Sequence, residues 1–574
     1  MKPVFSVDQI RRAENTLLGL QADPDELMIS AASAVADVAL AMLDGPAPAT
    51  SEEESVLLLV GPGGNGGDAL YAGAFLAEEG HHVDALLLGN GKVHQSALAY
   101  YESLGGHIIE DFPPHNLYRL VIDGLYGIGG RGGLSPELAV LVESFSSSGI
   151  SILAIDTPSG VHADTGELPP GVIVTVEGFD DDAPMARQKV ATHINADVTI
   201  TFGGLRRAHA VSPACGEVLL ADITIAGGGG KSLSAELAHV QTSDATPQMF
   251  ASTAWNKPDS LYEQANLKVT APHLQQIGQH FTVLNMEPGP DHDKYSGGIV
   301  GIVAGSDTYP GAAVLAVKAA VRATSSMVRY AGPAVNFVLQ VLPEVVATRS
   351  VESTGRVQAW VHGPGRGLDA EQSAELGQLL NRPEPLLIDA DGLTLLQLSA
   401  ELRLALTKRT APTVLTPHKG EFERIAKELR SEGVSIPNAQ TDPIGAAQAL
   451  AKEFDCCVLL KGKFTVVAAH DFVHVVNAGH SWLATPGSGD VLSGLIGAHL
   501  AQSYAELNRL PEFFPDVVLS DSAIYTQVAP AVTIHSVAAA LSAQTEFGPA
   551  PTSAGLIAEA IPAATAKVDF KRIL

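Results

Sequence analysis

The sequence predicts an α/β protein of two domains, each a mostly parallel sheet covered by helices. Three observations carry that expectation. At 574 residues the chain is too long for one ordinary domain. Short apolar runs of the kind buried in parallel sheets recur, each followed by a glycine-rich or carboxylate-bearing loop and then by helical periodicity. Finally, 56 glycines with only 5% aromatic residues suit close helix–sheet packing and many turns.

A composition of 46% hydrophobic and 17% charged residues describes well-buried cores. The formal charge of −28 argues against non-specific binding to nucleic acid or an anionic membrane, so a phosphate-bearing ligand must be met by local backbone donors and a few Lys or Arg. Cys215, Cys456 and Cys457 make neither a disulfide framework nor a metal set, and read as buried thiols in a reducing compartment. The start Met-Lys-Pro-Val-Phe-Ser lacks the apolar core of a signal peptide, and no long uncharged apolar stretch of membrane-spanning length is read. The expectation is a cytoplasmic protein with no nucleic-acid or membrane partner, forming a homo-oligomer.

In chain order, apolar positions at helical spacing (Ile10, Ala13, Leu17; Leu27, Ala31, Val35, Val38) predict two helices broken near Asp23-Pro24. The run from Val56 to Val60 reads as a buried strand, Gly61 to Asp68 as a glycine loop, and Ala69 to Leu76 as a helix. Strand, glycine loop and helix together make a layout suited to phosphate, because unpaired N–H groups converge at the helix start. The spacing is neither the dinucleotide fingerprint nor a Walker A loop, and a merely tight turn is the structural alternative. Later strands lead into Asp123-Gly124-Leu125-Tyr126-Gly127-Ile128-Gly129-Gly130 and Asp156-Thr157-Pro158-Ser159-Gly160. Ligands sit beyond the carboxyl ends of strands in a doubly wound sheet, so Asn65, Asp123, Asp156 and Ser159 should converge on one cleft. Carboxylates that merely cap turns are the alternative.

These strings resemble the NAD(P)H-hydrate epimerase domain, a Rossmann-like fold, over residues 1–225. The resemblance implies that Asn65, Asp123 and Ser159 hold a potassium ion, for which oxygen donors are suited. It further implies that Gly64, Asn65, Gly66, Gly67 and Asp68, with Gly127, Ile128, Gly129, Gly130 and Arg131, bind the hydrated dinucleotide, and that Asp156 is catalytic. There are departures. Gly64 stands where the family has a first asparagine, Met28-Ile29 where it has Met-Glu, and Arg206 or Arg207 where it has a lysine. The first two are expected to weaken epimerisation.

Residues 226–280 read as an interdomain connection with some structure of its own, and the acidic stretch around Phe179 to Asp182 as a solvated loop. Over 281–574 each strand again ends in a polar or glycine-rich loop. Thr485-Pro486-Gly487-Ser488-Gly489-Asp490 stands out: a tight turn opens an apolar helix beside a carboxylate. Such a turn can stabilise a transferring phosphoryl group while Asp490 takes a proton from a hydroxyl. A glycine-rich helix start with a dipole-facing carboxylate is the alternative.

Six strings in order resemble the ADP- or ATP-dependent NAD(P)H-hydrate dehydratases, a ribokinase-like fold. They are Val303 to Ala313, Gly363 to Gly367, Asp389 to Leu393, Thr416 to Phe422, Leu460 to Thr465 and Gly487 to Gly494. By that resemblance Ala312, Gly365 or Gly367, and His418 contact the hydrate, while Lys461, Gly462, Lys463, Phe464, Thr465 and Gly489 hold ADP. Asp490 acts on the substrate hydroxyl, and magnesium bridges the phosphates with Asp389, Asp391 or Glu421 as water-mediated candidates. The combined expectation is a repair enzyme whose substrates are NAD(P)H hydrates and ADP. One domain would epimerise and the other dehydrate. The alternatives are a ribokinase-like small-molecule kinase, or a first domain that binds without catalysing.

Overall fold

The computed structural model describes the chain except residues 45–54, 90, 115–116, 131, 177–185, 228, 245, 258, 272, 278–292, 510–520 and 569–574. It forms two compact units: Lys2–Ala245 with Lys257–Ile277, and Thr246–Asn256 with Gly278–Leu574 and Met1.

In the N-terminal unit, helix Val7–Leu18 begins at Ser6, whose side chain accepts from Gln9 N in a capping box. Helix Glu26–Leu43 follows after a break at the expected place. The eight-stranded sheet runs Leu274–Gln276, Glu217–Ala221, Val198–Phe202, Ser151–Ile155, Leu120–Gly124, Ser55–Val60, His82–Leu87, His107–Ile109. All neighbours are parallel except the Leu274–Gln276 edge strand. Ser55–Val60 and Leu120–Gly124 lie at its centre and are buried throughout, which is why their sequences are continuous apolar runs rather than alternating ones.

The stretch read as a loop from Gly61 to Asp68 is mostly helix, which begins at Gly64. A Cβ on Gly66 would lie 2.1 Å from Gly61 O, so glycine alone lets the helix start this close to its strand. The acidic stretch 179–182 lies outside the described residues; its flanks, Val172–Val176 and Ala186–Val190, pair as an antiparallel hairpin.

Residues 226–280, read as a connection, are divided between the two units. Helix Leu233–Ser243 belongs to the N-terminal unit, Gln248–Thr253 is a strand of the C-terminal sheet, and Leu274–Gln276 returns to the edge of the first sheet. Weak periodicity hid the two strands because they are only six and three residues long.

The C-terminal sheet runs Gln248–Thr253, Phe472–Asn477, Phe464–Ala468, Cys457–Leu460, Thr413–Leu415, Leu386–Ile388, Ala359–His362, Val300–Val303, Val328–Ala331, Val346–Thr348. Only Phe464–Ala468 runs antiparallel to its neighbours. Helix Ser488–Leu507 is buried along most of its length, through Val491, Leu495, Ile496 and Leu500. Two helices, Glu26–Leu43 and Ala523–Ser542, are long and apolar enough to cross a membrane by length and composition, contrary to the expectation of none. Both are core helices in large part, the second with 89% of its apolar window buried. All three cysteines are buried and free.

Candidate active sites

In the N-terminal unit the loops after three neighbouring central strands meet. Strand Leu120–Gly124 delivers Asp123, whose Oδ1 accepts from Ser159 Oγ (2.7 Å) and Oδ2 from Ser159 N (2.8 Å). Asp123 is fully buried, and burial pushes its carboxyl up to about 6 against the opposing hydrogen bonds from Ser159 and Leu125. Asn65, in the first turn of helix Gly64–Glu78, donates through Nδ2 to Ile155 O at 2.7 Å. A Cβ on Gly127 would sit 2.3 Å from Asn65 Oδ1, so the loop is moulded to that amide. Carboxylate, amide and hydroxyl oxygens thus lie on adjoining strand ends, a donor set that fits a hard monovalent cation.

Asp156 takes a different partner from the one its neighbours suggest. Its carboxylate accepts from Arg206 (Nη2–Oδ1 2.7 Å) and Thr201 Oγ1 (3.1 Å), and His209 Nε2 lies 2.6 Å from its carbonyl oxygen. Of the two arginines that could replace the family lysine, Arg206 is therefore the one at the site, with its side chain 1% exposed. Asp68 is pushed well above the carboxylate range by burial, with Asp156 and Glu14 adding repulsion. Gly67 packs on Met28 and His94, and Ile128 on the domain core. Gly130 closes a turn on Gly127, while Gly64 has open space around it. Arg131 lies outside the described residues.

In the C-terminal unit, Gly487 takes φ +83° and caps helix Ser488–Leu507, so Ser488, Gly489 and Asp490 form its first turn; Ser488 N donates to Thr485 O at 3.1 Å, and the Gly489 and Asp490 N–H groups have no partner within the helix. Burial and the nearby Asp389 push Asp490 up to about 7, with Lys461 opposing. Lys461 Nζ lies 2.7 Å from Asp389 Oδ1 and 3.8 Å from Glu421 Oε2. Burial would lower this ammonium's pKa, but the two carboxylates overcome it and raise the value. A Cβ on Gly489 would sit 3.6 Å from Lys461 Nζ, so the helix start and the lysine face the same space.

Asp389 and Asp391 flank Ala390, which holds φ +47° and ψ −113° at the entry to helix Asp391–Leu398. With Gly392 N donating to Asp389 O, this is a strained type II′ turn. It sends the two carboxylates to different tasks. Asp389 Oδ2 accepts from Ser493 Oγ (2.7 Å), and Asp391 Oδ2 from Gly367 N (2.8 Å). Both Asp389 oxygens are thereby taken by protein donors, and no group of three or more His, Cys, Asp or Glu able to hold a metal exists among the described residues. A magnesium ion would have to arrive on nucleotide phosphates rather than in a protein cage.

The loop carrying Gly365 and Gly367 is anchored further by Arg366, paired to Glu375 through two bonds of 2.9 and 3.0 Å. A Cβ on Gly365 would lie 2.8 Å from Ala312 Cβ, which puts those two residues side by side. His418 caps helix Lys419–Ser431: its Nδ1 accepts from Gly420 N (2.9 Å) and Glu421 N (3.3 Å), leaving the exposed Nε2 as the donor. His418 also forms a bridge with Lys461. Lys461 to Thr465 is a hairpin in which Thr465 Oγ1 donates to Gly462 O at 2.9 Å and Lys463 Nζ lies over the Phe464 ring.

Glu14, His209, Thr201 and Ser493 escaped the sequence reading. Each sits inside a helix or strand, and only tertiary packing brings it to a site.

Comparison with known proteins identifies the family of both units. Residues 24–208 match the family described as YjeF-related protein N-terminus, and residues 300–562 the family described as NAD(P)H-hydrate dehydratase. Over all 574 residues, covering 100% of both chains, the protein is 85% identical to the bifunctional NAD(P)H-hydrate repair enzyme Nnr of Corynebacterium glutamicum. It is 39% identical to that of Mycobacterium leprae over 87% of this chain and 89% of the other. Among solved structures, an ADP/ATP-dependent NAD(P)H-hydrate dehydratase from Bacillus subtilis aligns at 23% identity and a TM-score of 0.40, covering 50% of this chain and 95% of that one. With both domains present and full-length identity of this order, the chain belongs to the bifunctional NAD(P)H-hydrate repair enzymes.

Proposed function

We propose that the N-terminal domain interconverts the R and S hydrates of NADH and NADPH, and that the C-terminal domain dehydrates the S form with ADP, giving AMP and phosphate. The observation that carries the second half is Asp490, in the first turn of a helix whose start borders the same space as Lys461, with its carboxyl pushed up to about 7. In this reading Asp490 removes the proton of the C6 hydroxyl, and the oxygen attacks the β-phosphorus of ADP as AMP departs. The Gly489 and Asp490 amides and Lys461 stabilise the charge on the transferring group. Phosphate then leaves C6 with the electrons of the C–O bond, and a proton is lost from C5 to restore the dihydropyridine. Ala312, Gly365, Gly367 and the Nε2–H of His418 orient the hydrate, while Gly462 to Thr465 border the nucleotide. Magnesium, bound to the phosphates, would supply charge neutralisation.

In the N-terminal domain the glycine loops around Gly64 to Asp68 and Gly127 to Gly130 would hold the hydrate against Asp156. Asn65, Asp123 and Ser159 would hold potassium, which supplies positive charge beside the buried Asp123. We infer further that the full chain is cytoplasmic, self-associating and without nucleic-acid or membrane partners. The test is recovery of dihydronicotinamide absorbance from mixed NADH hydrate epimers with ADP and magnesium. Complete, rapid recovery is expected. Recovery that stalls when the S epimer is exhausted would reduce the first domain to a binding role, and no recovery with ADP or ATP would remove the repair reading.

A further inference from the structure

Helix Val7–Leu18 lies ahead of the matched 24–208 region, and no motif marks it. Its buried face, Ile10, Ala13 and Leu17, packs into the core of the N-terminal domain. That packing orients Arg11 and Glu14, three residues apart and so on one side of the helix. Arg11 reaches the glycine loop: a Cβ on Gly129 would lie 3.6 Å from its Nη2. Glu14 Oε1 lies 4.0 Å from Arg206 Nη2, the same nitrogen that holds Asp156 Oδ1 at 2.7 Å. The Glu14 side chain is 30% exposed whereas those of Arg206 and Asp156 are 1% and 7%, so Glu14 is the member of this trio open to a ligand.

We propose that Glu14 is a proton-transferring residue of the epimerisation site, working opposite Asp156, and that helix Val7–Leu18 is part of the catalytic unit. The inference rests on the epimerase reading given above. Epimerisation at C6 through ring opening needs two proton movements. The hydroxyl proton leaves as the C6–N1 bond breaks to an aldehyde, N1 gains a proton, and both steps reverse on the other face. No external reactant is consumed. Two acid–base groups are required, and Asp156, bound on one oxygen by Arg206 and Thr201, supplies one. Glu14 supplies the other. Its carboxyl is pushed up to about 6 by burial, with Arg206 and Arg11 pulling it down and Asp156 pushing it up, so both protonation states are populated near neutral pH. Asp68 also belongs to this cluster, its carboxyl pushed up by burial and by the charges of Asp156 and Glu14.

The experiment uses the full-length chain, whose two reactions serve as internal controls. Epimer interconversion without ADP is followed chromatographically for wild type, Glu14→Gln and Glu14→Asp from pH 5 to 8, and dehydration of the S hydrate with ADP is measured on the same samples. Glu14→Gln is expected to slow interconversion by about 100-fold or more and to remove the pH dependence near 6, while dehydration stays within twofold. Glu14→Asp should recover at least tenfold over Glu14→Gln, with the pH dependence restored, which a merely destabilised helix would not do. Interconversion by Glu14→Gln within threefold of wild type, or a loss with the wild-type pH profile intact, overturns the proposal. A wild-type chain that interconverts nothing overturns the epimerase reading along with it.

Discussion

Asp156 and Asp490 both follow the carboxyl ends of strands, yet their surroundings differ. Asp156 gives Oδ1 to Arg206 at 2.7 Å and to Thr201 at 3.1 Å, within a shell where Arg206 is 1% exposed. Asp490 is left to burial and to Asp389, and Lys461, the cation that acts on it, is already bound to Asp389 at 2.7 Å. A carboxylate paired with a buried guanidinium is held in one position. One left beside another carboxylate is poised to accept a proton at neutral pH. The first arrangement fixes where a catalytic carboxylate stands, and the second suits a general base.

That contrast can be broken most sharply at Asp490. Asp490→Asn keeps shape but removes the base, and dehydration of the S hydrate should fall by about 10²- to 10⁴-fold with epimer interconversion unchanged. If interconversion fell equally in an epimer assay, the separation of the two sites would be lost. At the other carboxylate, Arg206→Ala strands Asp156 in a buried pocket and should destabilise the N-terminal domain by about 3–5 kcal/mol. Urea denaturation followed by a probe in that domain would show it, and Arg206→Lys should recover part of the loss.

The pH dependence sharpens the comparison. Asp490 must be ionised to act, and its value of about 7 means that kcat/KM for dehydration should drop about tenfold per unit below that pH. A rate profile flat from pH 8 to 6 would show that another group is the base. The smallest effect is expected at Gly64, where a Cβ meets nothing within 4 Å. Gly64→Ala should change stability by no more than about 0.5 kcal/mol in thermal melts.

The sheets were largely legible in the residues because buried parallel strands must be apolar throughout, as in Val56 to Val60, and because their polar ends are marked by glycine and aspartate. The same marking made Asn65, Asp123, Ser159 and Asp490 readable. Glu14 carried no such mark, and the glycines near Thr201 and Ser493 did not single those residues out, since a polar residue on a helix face or in a strand looks the same whether it meets water or a site. The first turn of the helix that begins at Gly64 was read as a loop, because five glycines within the seven residues Gly61 to Gly67 suppress helical propensity unless the strand beside them demands a close approach.

What the sequence by itself determined is therefore the two-domain α/β plan and the order of its phosphate-suited turns, both of which follow from local spacing. The partners of each charge were decided only by the tertiary structure. Arg206 rather than Arg207 pairs with Asp156, Asp389 takes both Lys461 and Ser493, and Gln248–Thr253 crosses into the C-terminal sheet. These pairings join residues far apart in the chain, and burial makes an unpaired charge too costly to leave, so packing rather than local sequence selects the partner.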